Sequence, residues 1–269
     1  MSLNAKEFYV DTESGQIPCI SFGSGKKTLV MIPGLRLSGM EGASKIVAWY
    51  YRLFSKDYTV YIFDRNKTIL DGCTIHSLAE DVFLAMKKLN LSENEGAYVF
   101  GASQGGMIAQ DLTINHPECV KKLVLGVTLS RINPTVEAVI NGWIKLATEK
   151  GIGAIAEDYI YKGYSEKYIR RYRLFLPLLL KTQKYMPVER FITLAKACLT
   201  CCTYDDLEKI KCPVLVLGGG KDKIVTGEAS REIAEKLGCK YYIYDDLSHE
   251  AYNEAKDFNR RIYDFFAEE

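Results

Sequence analysis

The sequence predicts an α/β fold: a doubly wound, mostly parallel sheet flanked by helices, with a helical unit inserted between two strands. Three observations predict it. Short apolar runs alternate with longer segments of helical period, the βαβα order of a doubly wound sheet. Several of the runs are apolar without alternation, as parallel strands buried on both faces are. The alternation stops between about 130 and 210, where no strand stands out and helical patterns follow one another. Ligands of such folds sit at the carboxyl ends of the strands.

Taken in order, "EFYV" and "IPCISFG" read as an antiparallel pair at the sheet edge. Six runs follow as strands: "TLVMIP" (28–33), "YTVYIFD" (58–64), "GAYVFG" (96–101), "KLVLGV" (122–127), "PVLVLGG" (213–219) and "KYYIYDD" (240–246). In "SLAEDVFLAMKKL", Ser77 and Glu80 fit a capping box, while Leu78, Val82, Ala85 and Leu89 share one face. The irregular stretch is dense in tyrosine (Tyr159, Tyr161, Tyr164, Tyr168, Tyr172, Tyr185 and Tyr204). Insertions at strand ends are where α/β enzymes carry lids. Residues 131–208 are therefore expected to form a helical cap on a core made of 1–130 and 209–269. An ordinary helical layer is the alternative. Phe258, Ile262, Phe265 and Phe266 recur at helical spacing, so a last helix should dock on the sheet.

At 269 residues the chain fits one large domain with an insertion, long enough to need no metal or disulfide staple. Hydrophobic residues make up 48% and charged residues 26%, an ordinary soluble balance. The 35 basic and 34 acidic residues leave no footprint for nucleic acid or a membrane surface. "MSLNAKEFYVDTESGQ" lacks the apolar core of a secretory signal, and "LFLPLLL" is far too short to span a bilayer. A cytoplasmic protein with a small-molecule substrate is expected, and a homodimer is compatible with the sequence. The eight cysteines are scattered except in "CLTCC". Cys198 and Cys201 form a C-x-x-C with no second pair or nearby histidine, so small apolar positions are expected there instead of metal or redox chemistry.

The informative stretch is "YVFGASQGGMIAQ", residues 98–110. G-x-S-x-G by itself is weak, and a glycine-rich turn capped by Ser103 would explain it. Its placement says more, because an apolar strand precedes it and a helical pattern follows. A strand turning sharply into a helix strains the residue between them, by about 1–3 kcal/mol. It also demands small neighbours, supplied by Gly101, Ala102, Gly105 and Gly106. Such a turn lifts the serine to the carboxyl edge of the sheet, at the positive end of the next helix.

A serine hydroxyl is a poor nucleophile until a base takes its proton, and histidine has the suitable pKa. There are three histidines. His76 sits at the start of a helix and His116 a helix length from Ser103, whereas His249, in "DDLSHEAYN", lies in a loop at the carboxyl edge. His249 is the expected base. The imidazole needs an acid to fix its tautomer. Asp222, in "VLVLGGGKDKIV", is placed for that role, with Asp245 and Asp246 as rivals. An acyl-transfer oxyanion needs two N–H donors. The amides of Gln104 and, from "VMIPGLRLSG", Leu35 could supply them, though a plain turn explains Pro33-Gly34 equally well on local grounds. Two glycine motifs fail. "FGSGKKT" has Lys27 where a phosphate loop needs Ser or Thr and reads as a hairpin turn, and "GGGKD" lacks the third glycine of a nucleotide fingerprint.

With "MIPGL", "GASQGG", "GGGKDKIV" and "LSHEAYNE" in this order, the chain resembles the α/β-hydrolase fold family over nearly its whole length. The resemblance implies a serine hydrolase with Ser103 as nucleophile, Asp222 as acid, His249 as base and the Leu35 and Gln104 amides as oxyanion donors. It also implies a helical cap domain at about 130–210 and no metal or organic cofactor. Pro33 stands where members often carry histidine, and "FDRNKTILDG" keeps Asp64 of a glycine-rich family stretch but little else. Serine at the elbow sets the chain apart from dehalogenases and epoxide hydrolases, which use aspartate. The expected function is cleavage of an ester or related acyl bond in a small to medium, partly apolar molecule. Thioesterase, amidase or peptidase, C–C bond hydrolase and acyltransferase chemistry, or a non-catalytic ligand-binding role, are the alternatives, since the fold does not choose among them.

Overall fold

Hydrophobic strands laid side by side organise the molecule. The computed structural model describes residues 3–92 and 95–268. Among these residues the strands are β1 (Lys6–Thr12), β2 (Gly15–Gly23), β3 (Lys27–Ile32), β4 (Tyr58–Phe63), β5 (Ala97–Ala102), β6 (Val120–Gly126), β7 (Val214–Gly219) and β8 (Lys240–Tyr244). They form one sheet in the order β1-β2-β4-β3-β5-β6-β7-β8. β1–β2 and β2–β4 pair antiparallel, and every later pair is parallel. Every residue of β5 and β7 is buried, as a central parallel strand requires, whereas edge strand β1 is largely exposed.

The helices are α1 (Ser44–Tyr50), α2 (Ile75–Lys88), α3 (Gln104–Asn115), α4 (Pro134–Lys150), α5 (Ile152–Gly163), α6 (Glu166–Tyr172), α7 (Leu176–Thr182), α8 (Val188–Cys198), α9 (Gly227–Leu237), α10 (Ala251–Glu254) and α11 (Phe258–Ala267). One sheet face packs on α2, α3 and α9 through residues such as Leu78, Val82, Ile108, Leu112 and Ile233. The other packs on α1 and α11. Phe258, Ile262, Phe265 and Phe266 of α11 are all buried, at about 1.5–3 kcal/mol each relative to exposure. Five helices, α4 to α8, lie between β6 and β7, and Arg131 pairs with Cys202 across the base of this insertion. No helix among the described residues is long and apolar enough to cross a membrane.

Two local expectations are corrected. The "GSGKK" connection is not a hairpin, because β4 slots between β2 and β3 and pairs with both. The helix containing Ser77 begins earlier than expected: Thr74 is the N-cap, accepting from the Ser77 amide at 3.1 Å, and the Ser77 hydroxyl accepts from the Thr74 amide. Ser77 thus fills the third helical position of the box, and Glu80 is free to accept from His116 at 2.7 Å.

Candidate active site

Ser103 joins β5 to α3 with φ 53° and ψ −121°, a left-handed conformation that L-residues avoid. Its backbone is held there from several sides. The amide donates to Gly126 O at 2.9 Å, and its carbonyl accepts from Gly106 N at 2.8 Å, Met107 N at 3.1 Å and Thr128 Oγ1 at 2.7 Å. The turn is so tight that a Cβ at Gly105 would collide with the Ile32 carbonyl oxygen. The Ser103 side chain makes no capping bond to α3. Its Oγ lies 2.9 Å from His249 Nε2 instead.

His249 Nδ1 is 2.8 Å from Asp222 Oδ2. A carboxylate only accepts, so Nδ1 carries the proton and Nε2 is left to accept from the Ser103 hydroxyl. The other carboxylate oxygen of Asp222 accepts from the amides of Ile224 at 2.8 Å and Val225 at 3.0 Å. Asp222 and His249 are both buried. Burial alone would push the His249 pKa down. The charge and hydrogen bond of Asp222, with a smaller contribution from Glu250, outweigh it and hold the imidazole above its ordinary value.

The expected rivals lie elsewhere. Asp245 and Asp246 are exposed and face Arg231 and Lys221. His76 is a surface residue bonded to Asp111 at 2.9 Å. His116 ends α3, about 18 Å along the helix from Ser103, and stacks on Phe83 with ring centroids 3.6 Å apart. Burial pushes the Cys198 and Cys201 thiols up to about 12. No group of His, Cys, Asp or Glu among the described residues is arranged to hold a metal ion.

The loop after β3 folds down on the serine. A Cβ at Gly34 would sit 3.1 Å from Ser103 Cβ and 3.3 Å from Ala102 O, which explains glycine there. Leu35, next in the chain, lines the cavity into which Ser103 opens. Among the described residues no protein acceptor pairs with the backbone N–H of Leu35 or Gln104. Both amides are thus free to donate.

The cavity holds about 310 Å³, in the range of small-molecule sites. Its wall is mostly apolar, with Val136, Ile140 and Trp143 from α4 facing Met107 of α3, and Ile46 of α1 at its rim. A second cavity of about 410 Å³ shares Leu35, Tyr159 and Tyr252 with it and runs on past Tyr164 and Tyr168.

Two features escaped the sequence reading. Glu250, beside the expected base, is buried and accepts from Tyr252 OH at 2.8 Å, Tyr159 OH and Asn253. Burial, reinforced by the Glu250 charge, pushes the Tyr159 and Tyr252 hydroxyls well above their ordinary pKa. The segment carrying His249 is also stitched to the insertion. Ser248 Oγ donates to Lys162 O at 2.6 Å, Glu250 N to Gly163 O at 2.8 Å, and Ser165 N to Glu254 at 2.8 Å. The other feature is the Gln104 side chain, read from sequence only for its backbone, which is buried and bonded to Arg65. The only available signal was a lone arginine after Asp64.

Over 222 residues the chain is 27% identical to "Putative carbamate hydrolase RutD" of Caulobacter sp. (strain K31), covering 80% of each protein. The Serratia proteamaculans (strain 568) protein of the same name is 25% identical over 236 residues, or 79% of this chain and 82% of that one. Among solved structures, the enol-lactonase from Burkholderia xenovorans LB400 superposes with a TM-score of 0.83 at 20% identity, covering 97% of this chain and all of that one. An esterase from Thermogutta terrifontis gives 0.79 at 18% identity, over 97% and 98%. These likenesses establish the fold. The family model described as serine aminopeptidase, S33, matches residues 26–256. The chain belongs to this family of α/β-hydrolases.

Proposed function

We propose that the protein is a serine hydrolase that cleaves an ester, or a related acyl bond, of a small to medium and partly apolar molecule. One observation carries the reading: the Ser103 Oγ–His249 Nε2–Asp222 Oδ2 chain of 2.9 Å and 2.8 Å contacts, opening on a largely apolar cavity. In this reading His249 takes the hydroxyl proton as Ser103 Oγ attacks the substrate carbonyl. The tetrahedral oxyanion is held by the Leu35 and Gln104 amides. The imidazolium, stabilised by Asp222, then protonates the leaving group. Water activated by His249 hydrolyses the acyl-enzyme and restores the serine. The insertion serves as the cap, and α4 supplies the apolar wall that selects the substrate. An amide, a thioester or a C–C bond would use the same relay. The name of the curated relatives makes a carbamate the first rival to an ester.

The test is a panel of p-nitrophenyl esters from acetate to octanoate with a p-nitrophenyl carbamate alongside, combined with labelling by a fluorophosphonate probe. Ester cleavage and stoichiometric labelling, both abolished in Ser103→Ala, are expected. Well-folded protein that takes no probe and cleaves nothing in the panel would refute the reading. A preference for the carbamate would correct the bond.

A further inference from the structure

Arg65 lies just past β4, one residue after Asp64, and is only 5% exposed. Among the described residues no carboxylate is bonded to its guanidinium. Nη2 donates to the Pro33 carbonyl at 2.6 Å and to Gln104 Oε1 at 3.0 Å, while Nε donates to the same Oε1 at 3.1 Å. Nη1 has no partner. Gln104, 1% exposed, spends its amide on the insertion, with Nε2 donating to Leu194 O at 2.7 Å and Cys198 Sγ at 3.1 Å on α8. The Arg65 backbone is itself anchored, its carbonyl accepting from Arg190 Nη2 at 3.1 Å.

We propose that Arg65 and the Gln104 side chain form a clamp that sets the two oxyanion-binding amides, which makes Arg65 a positioning residue for acyl transfer. The inference rests on the serine-hydrolase reading. One guanidinium touches both segments that supply the donors: the Pro33–Gly34 turn ahead of Leu35, and Gln104 itself. The peptide unit is planar, so holding the Pro33 oxygen also fixes the Gly34 N–H. What remains before the Leu35 amide is the backbone of Gly34, the residue type with the most freedom to swing away. On the other side, four hydrogen bonds on the Gln104 side chain, two of them from Arg65, fix the first residue of α3 and therefore its N–H. Preorganised donors of this kind act when charge develops on the substrate oxygen and contribute little to ground-state binding.

The arginine itself argues for this role. A buried cation with no paired carboxylate is unfavourable, and burial holds its pKa below the ordinary arginine value. A neutral side chain would fill the space without that burden. A fixed positive charge behind the Pro33–Gly34 turn is favourable when negative charge appears in front of it. A fork with two donor edges is also the shape needed to hold a carbonyl and an amide oxygen at once.

The experiment compares Arg65→Met, Arg65→Lys, Gln104→Met and the Arg65→Met/Gln104→Met double variant. Readouts are kcat and KM on a p-nitrophenyl ester that the wild type cleaves, and the affinity of a trifluoromethyl ketone that forms a tetrahedral adduct on Ser103. Arg65→Met should lower kcat roughly 30–100-fold, leave KM within about threefold and weaken the ketone by a matching factor. Arg65→Lys, with charge but no fork, should fall between. The double variant should lose little more than Arg65→Met, because the two residues form one unit. Unchanged kcat in Arg65→Met, or a kcat loss without loss of ketone affinity, overturns the clamp. If Arg65→Met does not fold, Gln104→Met decides: a kcat-selective loss supports the clamp and wild-type kcat overturns it. A wild type that cleaves no ester and takes no fluorophosphonate overturns the hydrolase reading and the clamp with it, whereas an active wild type with an equally active Arg65→Met removes only the clamp.

Discussion

His249 and Asp222 share a 2.8 Å hydrogen bond in a place where both side chains are all but sealed from water. The bond sets a pH signature. In the proposed relay His249 must be neutral to accept the serine proton, and its pKa in the fold is held above the ordinary value by Asp222. The acid limb of kcat/KM should therefore lie above about 6.5, the unperturbed histidine value. Activity should fall as pH drops through that limb. In Asp222→Asn the limb should move to lower pH and the plateau should fall about 10³–10⁴-fold. A pH profile with a p-nitrophenyl ester checks both, and a limb that stays in place would detach Asp222 from the base.

Glu250 contributes in the same direction as Asp222 but less, because its charge is the smallest of the influences on His249. Glu250→Gln should shift the acid limb to lower pH by less than Asp222→Asn does. It should also loosen the contact with Tyr159, visible as faster hydrogen exchange in α5.

The Ser103 backbone stores strain, separable from its chemistry. Ser103→Ala and Ser103→Gly should both be inactive, with losses of about 10⁵–10⁶-fold. Only glycine relieves the positive φ. Ser103→Gly should be more stable than Ser103→Ala by about 1 kcal/mol, the relief of strain less the entropy of a new glycine. Paired urea melts measure this difference.

Gly105→Ala tests the crowding at the elbow. The added methyl would meet the Ile32 carbonyl, a rigid backbone atom. Destabilisation of about 2–3 kcal/mol is expected, with loss of probe labelling as the turn is pushed out of shape.

Ile140 lies on the α4 wall of the cavity next to Ser103. Ile140→Phe should shorten the usable depth. Octanoate cleavage should then fall at least about tenfold relative to acetate. An unchanged ratio would place the acyl chain in the other cavity, beyond Tyr159.

What was legible in the sequence follows from the range of the forces involved. The central strands β3, β5, β6 and β7 could be read because burial leaves nearly unbroken apolar runs, edge strand β8 because its tyrosines and isoleucine favour a strand although it is largely exposed, and the Ser103 turn because its steric demand is local. Pairing order was not local. Nothing in "GSGKK" records that β4, some thirty residues later, inserts between its flanking strands. The box at Thr74 was missed by three residues because serine is usually the N-cap of such a box, whereas here Ser77 fills its third helical position. Arg65 and Glu250 escaped for a different reason. A charged residue in a loop is usually solvated, and only the assembled fold reveals that these two are buried. The helical character of 131–208 was visible in its periodicity, whereas its attachment to the segment around His249 depends in part on the Lys162 and Gly163 main-chain carbonyls, which carry no side-chain signature.

That attachment bears on modularity. Lys162 and Gly163 offer their carbonyls, and Tyr159 its hydroxyl, to Ser248 and Glu250, the two neighbours of His249. The insertion is therefore not an interchangeable part. A chimera that received residues 131–208 from a distant relative would inherit a different rim against this loop, and its imidazole would be aimed by chance. Residues 248–254 would have to travel with the graft.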